Sequence, residues 1–427
     1  LGDTYAFDAS NRLASVTDRS GNAVTLHYGA EGRLAAVSNS FGRALSLSWS
    51  GGRVSTVSDS AGRSVAFSYD ASGCLTNAAD AAGFAWTASY APDLPAAPPG
   101  SAAQAGGALI SQTDPEKNRI IQNAYNGLGQ VTGQVSSAGQ PWVFGYAAGT
   151  RSWDTDPYGQ REVRDHDTEG RVVSRVGRDG AWHDYVHDAR GRLVTHLDPF
   201  SRANLFEYDG YDRLVRSVQA ANTPDVRATA FAYDAHHRLV AVTNALGLVT
   251  SFAYDGNDRL VLTTFPDGTA ASNAWNAVGL RAAETLLDAS GQTLRHTVFD
   301  YDGGGRPASR TTQGPGLPSS VETATEFDDA GNLVRLEDAN GRETLFQYDA
   351  RGLLTNSVNA AGHAVRRAHG PRGLPASVTD PLGRTWHYEH DASGNLHSLK
   401  SPASSLTSFS YDAVDRLSAV TDPRGTR

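Results

Sequence analysis

Phe252-Ala-Tyr-Asp-Gly-Asn-Asp-Arg-Leu260 is the stretch that decides the reading of this chain. An aromatic residue, an Asp, two small or polar residues, a Gly or one of its substitutes, then Arg and Leu recur from one end of the sequence to the other. The anchor aromatics are Phe7, Tyr28, Trp49, Tyr69, Tyr90, Tyr125, Tyr146, Tyr208, Tyr233, Tyr254, Trp275, Tyr301, Phe327, Tyr348 and Tyr411, with His166, His187, His369 and His390 in the same role. Of the 18 intervals between successive anchors, 12 are 21 residues and two are 20, while four of 35, 25, 26 and 26 mark insertions. A fixed period in this range is the signature of a stacked array.

One repeat shows what is repeated. After Tyr233, Asp234 to His237 supply turn residues, Arg238 to Thr243 alternate as a strand, Asn244 to Gly247 turn, and Leu248 to Tyr254 return. Each repeat is therefore a hairpin of two short strands. The fourth residue after the anchor is Gly at most repeats, including Gly73, Gly191 and Gly352. It is Asn11, Asp212, His237, Asp258 or Asp415 at five others, side chains that best tolerate positive φ. Asp70, Asp188, Asp209, Asp255, Asp349 and Asp412 follow their anchors, where a short carboxylate accepts the turn's amides. The second turn reads Asp59-Ser-Ala-Gly62, Asp156-Pro-Tyr-Gly159 or Asp380-Pro-Leu-Gly383, the preferences of a type I turn.

The returning strand carries an aromatic or Leu two residues before the anchor, as in Phe67 with Tyr69, Phe252 with Tyr254 and Phe346 with Tyr348. Residues two apart share a face, so stacked hairpins line these pairs into aromatic rows. The outgoing strands mix Leu and Val with Ser, Thr and Arg, so neither face reads as uniformly apolar. About 36 strands at about 4.8 Å spacing give a ribbon on the order of 170 Å across its strands, and sheets that large coil or close. The expected fold is all-β: tandem antiparallel hairpins of about 21 residues in a long sheet spiralling around a hollow interior.

Composition narrows the function. The 37 basic and 46 acidic residues give a net charge of −9 spread along the chain, so no basic stripe invites nucleic acid or an anionic membrane. Cys74 stands alone, which rules out an internal disulfide framework, and no run of 18 apolar residues offers a membrane span. The array reads as one continuous body over residues 1–427, and its opening at Leu1 inside a strand pattern reads as a portion of a longer chain. Residues 91–108, rich in Pro, Ala and Gly, read as an exposed loop insertion. Shorter insertions fall near 220–226, within the Trp275 to Tyr301 repeat, and at 313–320.

The motifs Tyr69-Asp-Ala-Ser-Gly73, Tyr208-Asp-Gly-Tyr-Asp-Arg-Leu214, Tyr348-Asp-Ala-Arg-Gly-Leu-Leu354 and Tyr411-Asp-Ala-Val-Asp-Arg-Leu417 resemble the YD repeats of the Rhs family, over essentially the whole chain. That family includes the cocoon subunits of bacterial insecticidal toxin complexes, polymorphic Rhs toxins and the animal teneurins. The resemblance implies a hollow shell made by a spiralling sheet. In the bacterial members it implies a secreted or cell-surface container that holds a toxin domain from the same longer chain. The self-cleaving aspartyl segment that ends many such shells has no counterpart here, because only the opening of another repeat follows Tyr411.

No constellation stands apart from the repeat. The Asp residues are accounted for by their turns. His236-His237 and the pair His183 and His187 have spacings open to metal, but no Cys or carboxylate cluster completes a site. Gly303-Gly-Gly305 lacks the following helix that a phosphate loop needs. Expected catalytic, cofactor-binding and metal residues are therefore none. Two functions remain open: a non-enzymatic wall enclosing a polypeptide cargo or toxin, and an extracellular fibre, tube or adhesion scaffold that binds glycan or protein.

Overall fold

The computed structural model describes residues 2–91, 107–147 and 150–426. The insertion at 91–108, except Ala91, Gly107 and Ala108, lies outside the described residues. Among the described residues the fold is all-β, 39 strands in one sheet with consecutive strands pairing antiparallel.

The repeat around Tyr254 shows why these residues take this form. Strand Val249–Tyr254 alternates exposed and half-buried positions, with Thr250, Phe252 and Tyr254 on the more covered face and Val249, Ser251 and Ala253 on the open one. It pairs backward with Leu239–Thr243 and forward with Leu260–Thr264. At the anchor the register shifts: Ala253 faces Leu262, but Tyr254 faces Leu260. The same shift falls at Tyr69, Tyr208, Tyr348 and Tyr411. The opposite end of the hairpin has no shift, Thr243 facing Val249 directly. A bulge bends its strand and strengthens the local twist, so each repeat bends at one end only.

Both turns of the repeat have one geometry. In the first, the Asp255 amide donates to the Arg259 carbonyl at 3.0 Å and the Asp258 amide donates back to the Asp255 carbonyl at 3.1 Å. In the second, Asn244 and Leu248, then Gly247 and Asn244, make the same pair of bonds at 3.0 and 2.9 Å. The fourth residue sits at positive φ in each, Asp258 at 60° and Gly247 at 76°. This is a type I turn closed by a left-handed residue, a preferred three-residue hairpin connection. All sixteen Gly, Asn, Asp and His residues that follow their anchors by four have positive φ. Trp49 is followed instead by the two-residue loop Gly51-Gly52, at φ 56° and 84°, which accounts for the 20-residue spacing to Tyr69.

Two of the insertions lengthen strands. The extra residues between Trp275 and Phe327 enter Thr293–Tyr301, Pro307–Gly314 and Leu317–Phe327, of 9, 8 and 11 residues. The insertion near 220–226 is a turn entered through Ala220 at φ 51°.

Packing is thin throughout. Val218, at 5% exposure, is the single buried hydrophobic side chain among the described residues, while Asp114, Glu162 and Thr297 are buried polar ones. The described residues group into two units: Leu1–Thr25 with Tyr146–Trp153 and Arg161–Ala324, and Leu26–Gly145 with Asp154–Gln160 and Thr325–Arg427. Within each unit, segments far apart in sequence meet through their turns. In the first, the Asn22 amide group donates to the Val278 carbonyl at 2.9 Å, across 256 residues. In the second, Glu116 meets Arg372 and Ser137 meets Ser393, each again 256 residues apart, and the Ala413 amide donates to the Tyr158 hydroxyl across 255.

Candidate functional site

Two arrangements stand out in this chain: a clasp repeated at many of its turns, and the contacts that join turns about 256 residues apart. The clasp starts from the Asp that follows the anchor. Asp255 Oδ1 accepts the amides of Asn257 and Arg259 at 2.9 and 3.0 Å, and its Oδ2 accepts Arg259 Nε at 2.7 Å. Asp188 and Asp209 hold Arg192 and Arg213 in the same way, at 2.8 and 2.7 Å. Asp70 accepts the Cys74 amide at 2.9 Å and Asp349 the Leu353 amide at 2.9 Å. Gly73, Gly191 and Gly352 occupy the left-handed position, at φ 90°, 82° and 81°.

The held arginine then reaches into the next repeat. Arg238, clasped by Asp234, places its guanidinium 5.0 Å from the centre of the Tyr254 ring and donates to the Asp255 carbonyl at 3.2 Å. The Tyr254 hydroxyl donates back to the Leu239 carbonyl at 2.8 Å. Arg192 with Tyr208, Arg213 with Tyr233 and Arg259 with Trp275 repeat the contact, at 4.9, 4.6 and 6.0 Å. Tyr69, Tyr90, Tyr125, Tyr208, Tyr233, Tyr301, Tyr348 and Tyr411 likewise donate to a backbone carbonyl 15 to 20 residues earlier, and Trp49 and Trp275 do so through Nε1. Anchors sit on alternate strands, about 10 Å apart, beyond the reach of ring stacking. The guanidinium spans that gap.

Among the anchors, Phe7 and Tyr146 are exposed and the rest are half-buried. The recurring Arg four residues after the Asp is visible in the sequence as a pattern, but its partner in the next repeat is not.

Electrostatics follow from the clasp. Hydrogen bonds from Arg213 and from Arg192 hold the Asp209 and Asp188 carboxyls below the usual range. At Asp412 partial desolvation pushes upward, but the amide and guanidinium of Arg416 outweigh it and lower the value to about 2. These carboxylates are ionised, acceptor-saturated structural groups. The sequence-level metal candidates part company: His183 Nδ1 lies 2.9 Å from His196 Nε2, while His187 takes an anchor place. His237 occupies a left-handed turn position with its ring nitrogen 2.9 Å from Arg213. Gly305 closes an ordinary turn begun by Asp302. Among the described residues no group of three or more His, Cys, Asp or Glu is arranged around a metal position.

The distant contacts centre on Arg372 in the second unit. Its guanidinium is 9% exposed and donates from Nε to Glu116 at 2.6 Å, with Asp114, fully buried, at 3.4 Å. Its other nitrogens donate to the Asp391 and Ala392 carbonyls at 2.9 and 3.2 Å. In the same unit Arg63 donates to the Ala330 carbonyl at 3.1 Å, and the Arg416 guanidinium lies 5.8 Å from the Tyr158 ring. A cavity of about 390 Å³ opens between Leu45, Val57 and Val65 on one side and Ala350 and Arg351 on the other.

The RHS repeat family model matches residues 7–44, 233–270, 327–364, 371–404 and 390–427. No curated protein sequence gives a significant match. Among solved structures, the crystal structure of TcdB2-TccC3 is 13% identical, at a TM-score of 0.49 over 99% of this chain and 28% of that one. The same complex without its hypervariable C-terminal region is 12% identical, at 0.48 over 100% and 31%. The Tc holotoxin pore of Photorhabdus luminescens is 12% identical, at 0.32 over 99% and 32%. The chain spans about a third of the length of these structures.

Proposed function

We propose that this chain, which the RHS repeat model matches in five stretches, is one continuous array, a non-enzymatic wall segment of a hollow shell enclosing a polypeptide, such as a toxin domain carried by the same longer protein. The observation that carries this reading is a 39-stranded sheet with one buried hydrophobic side chain among its described residues. A sheet that size built to pack against another layer would need a dry apolar face. A wall needs strand pairing and turn clasps, and it presents no sticky core to an unfolded guest.

Within each unit, contacts between turns 256 residues apart support a wall whose turns are fastened to distant turns of the same unit. The protein works outside the cytoplasm, secreted or at the cell surface. Electron microscopy of the intact parent particle tests the proposal. Class averages with a closed wall around internal density are expected, and an open or empty tube overturns it.

A second reading is favoured by the turn tips. Phe200, Leu246 and Leu382 are 79%, 83% and 76% exposed. Apolar tips of this kind suit an extracellular fibre or adhesion scaffold that meets a protein or glycan partner. Binding to cell surfaces that is lost when these three are changed to Ser, with folding intact, supports that alternative.

A further inference from the structure

The turns of the second unit that are distant in sequence meet along a seam, through side chains and single backbone groups. The cavity of about 390 Å³ lies on that seam. Its floor is aliphatic. Leu45, Val57 and Val65 share one face on three neighbouring strands, Ala44–Ser50, Arg53–Asp59 and Ser64–Tyr69, and Leu45 and Val65 stay exposed there. The turns that begin at Asp59 and Asp80 line one side, and Arg351 lines the other. The Arg351 guanidinium lies 4.8 Å from the centre of the Phe84 ring, a contact that ties the two sides together.

Four charged groups line the cavity, and three of them are satisfied. Asp59 gives Oδ1 to the amides of Ala61 and Arg63, at 3.0 and 2.9 Å, and Oδ2 to the Arg63 guanidinium at 2.7 Å. Arg63 also donates to the Ala330 carbonyl at 3.1 Å. Arg351 donates to the Gly370 and Pro371 carbonyls, each at 3.1 Å, and lies 3.3 Å from Asp349 of its own turn. Asp80 differs. Its Oδ1 accepts the amides of Ala82 and Phe84, each at 2.9 Å, but Phe84 stands where the ordinary clasp has Arg, so Oδ2 has no hydrogen-bond partner among the described residues. Asp59 offsets Arg63 and Asp349 offsets Arg351, which leaves one negative charge beside an aliphatic floor.

We propose that this cavity binds a primary ammonium carried on an unbranched alkyl stem, a free alkylamine or a lysine side chain, with the ammonium donating to Asp80 Oδ2 and the stem lying along Leu45, Val57 and Val65. The ligand's chemistry follows from the lining. A compact ammonium brings three donors to the open carboxylate oxygen, and a straight stem covers the aliphatic surface that the fold leaves exposed. An anion would meet guanidiniums that are already engaged and a carboxylate that repels it. A neutral apolar ligand would strip water from Asp80 and return nothing for it.

Ligand-observed saturation-transfer NMR on the full chain tests this, with n-hexylammonium as the probe and n-hexanol and hexanoate as its matched controls. The ammonium should bind saturably and about tenfold more tightly than either control, the effect of a hydrogen bond to a charged group. Asp80→Asn should weaken amine binding about tenfold. It should keep the turn, because Asn39 and Asn244 accept the same pair of amides in turns of their own. Phe84→Arg, which restores the ordinary clasp, should fill Oδ2 from within the turn and abolish binding. Asp70→Asn is the control variant: Asp70 also lacks an arginine four residues on, where Cys74 stands, but it lies outside the cavity lining, so binding should not change. Displacement of the amine by Nα-acetyl-lysine amide assigns the site to lysine side chains, and failure to displace it assigns the site to free amines. No saturable amine binding, equal binding of the three probes, or amine binding undiminished in Asp80→Asn overturns the proposal.

Discussion

Replacing Arg372 by Ala should damage the second unit far more than any other single arginine change. The substitution removes the 2.6 Å bond to Glu116, the 3.4 Å contact with Asp114, and donors to the Asp391 and Ala392 carbonyls. Asp114 is fully buried, so its charge is left without a cation in a place that water does not reach. Breaking a buried pair by removing one partner costs about 3–5 kcal/mol. The comparison is Arg384→Ala. Arg384 makes the ordinary clasp with Asp380 at 2.6 Å, but it is 58% exposed, and exposed pairs contribute about 0–1 kcal/mol. A long repeat array opens in parts, so the assay should be local: native-state hydrogen exchange read at residues 109–125 and 364–396. The expected result is a fall in opening free energy of about 3 kcal/mol or more in Arg372→Ala, with Arg384→Ala within about 1 kcal/mol of wild type. Equal, small effects would refute the claim that this buried cluster holds the seam.

Three other expectations concern the clasp. Tyr254→Phe loses the bond to the Leu239 carbonyl and should cost about 1 kcal/mol, whereas Tyr254→Ala also leaves a cavity under Arg238 and should cost about 3 kcal/mol, measured as opening free energy at residues 239–260. Gly62→Ala should destabilise its turn by about 1–2 kcal/mol through positive φ alone, since no atom lies near the added methyl, and Asn at that position should recover part of the loss in the same measurement. The turn carboxylates have lowered pKa values, so the stability they add is complete above their unfolded value near 3.8 and declines as the pH falls toward about 2, where Asp412 takes its proton. Thermal melts should thus be insensitive to this group of residues from pH 7 down to about 5 and fall steeply below pH 3.8; in Asp412→Asn the turn at 412–416 should lose that dependence.

Much of this was legible in the sequence because the repeat constrains single residues. Tyr254, Asp255 and Asp258 each have one local job, and a period of 21 residues displays that job many times. The left-handed positions could be assigned from residue type, since Gly, Asn and Asp share a tolerance that Val and Leu lack. The identity of the two turns was less visible, because Asp-Pro-Leu-Gly and Asp-Gly-Asn-Asp reach one geometry by different residues. Arginine's role was hidden for another reason: Arg238 is defined by Asp234 before it and by Tyr254 after it, and only the fold brings the two together. The seam could not be read at all. Glu116 and Arg372 are unremarkable turn residues until the fold sets them side by side.

The scarcity of buried apolar side chains has a thermal consequence. Heat capacity rises on unfolding mainly because apolar surface meets water, at about 12–15 cal/mol/K per residue in ordinary globular domains. In this sheet Val218 alone is a buried hydrophobe among the described residues, and large side chains such as Val249 and Leu345 are already about half open to solvent. Its unfolding should carry a markedly smaller heat-capacity increment, and its stability curve should be broad and shallow. A protein of this kind keeps nearly the same margin in the cold as at body heat, and its hydrogen-bonded ribbon, not a fading hydrophobic drive, sets the temperature at which it fails.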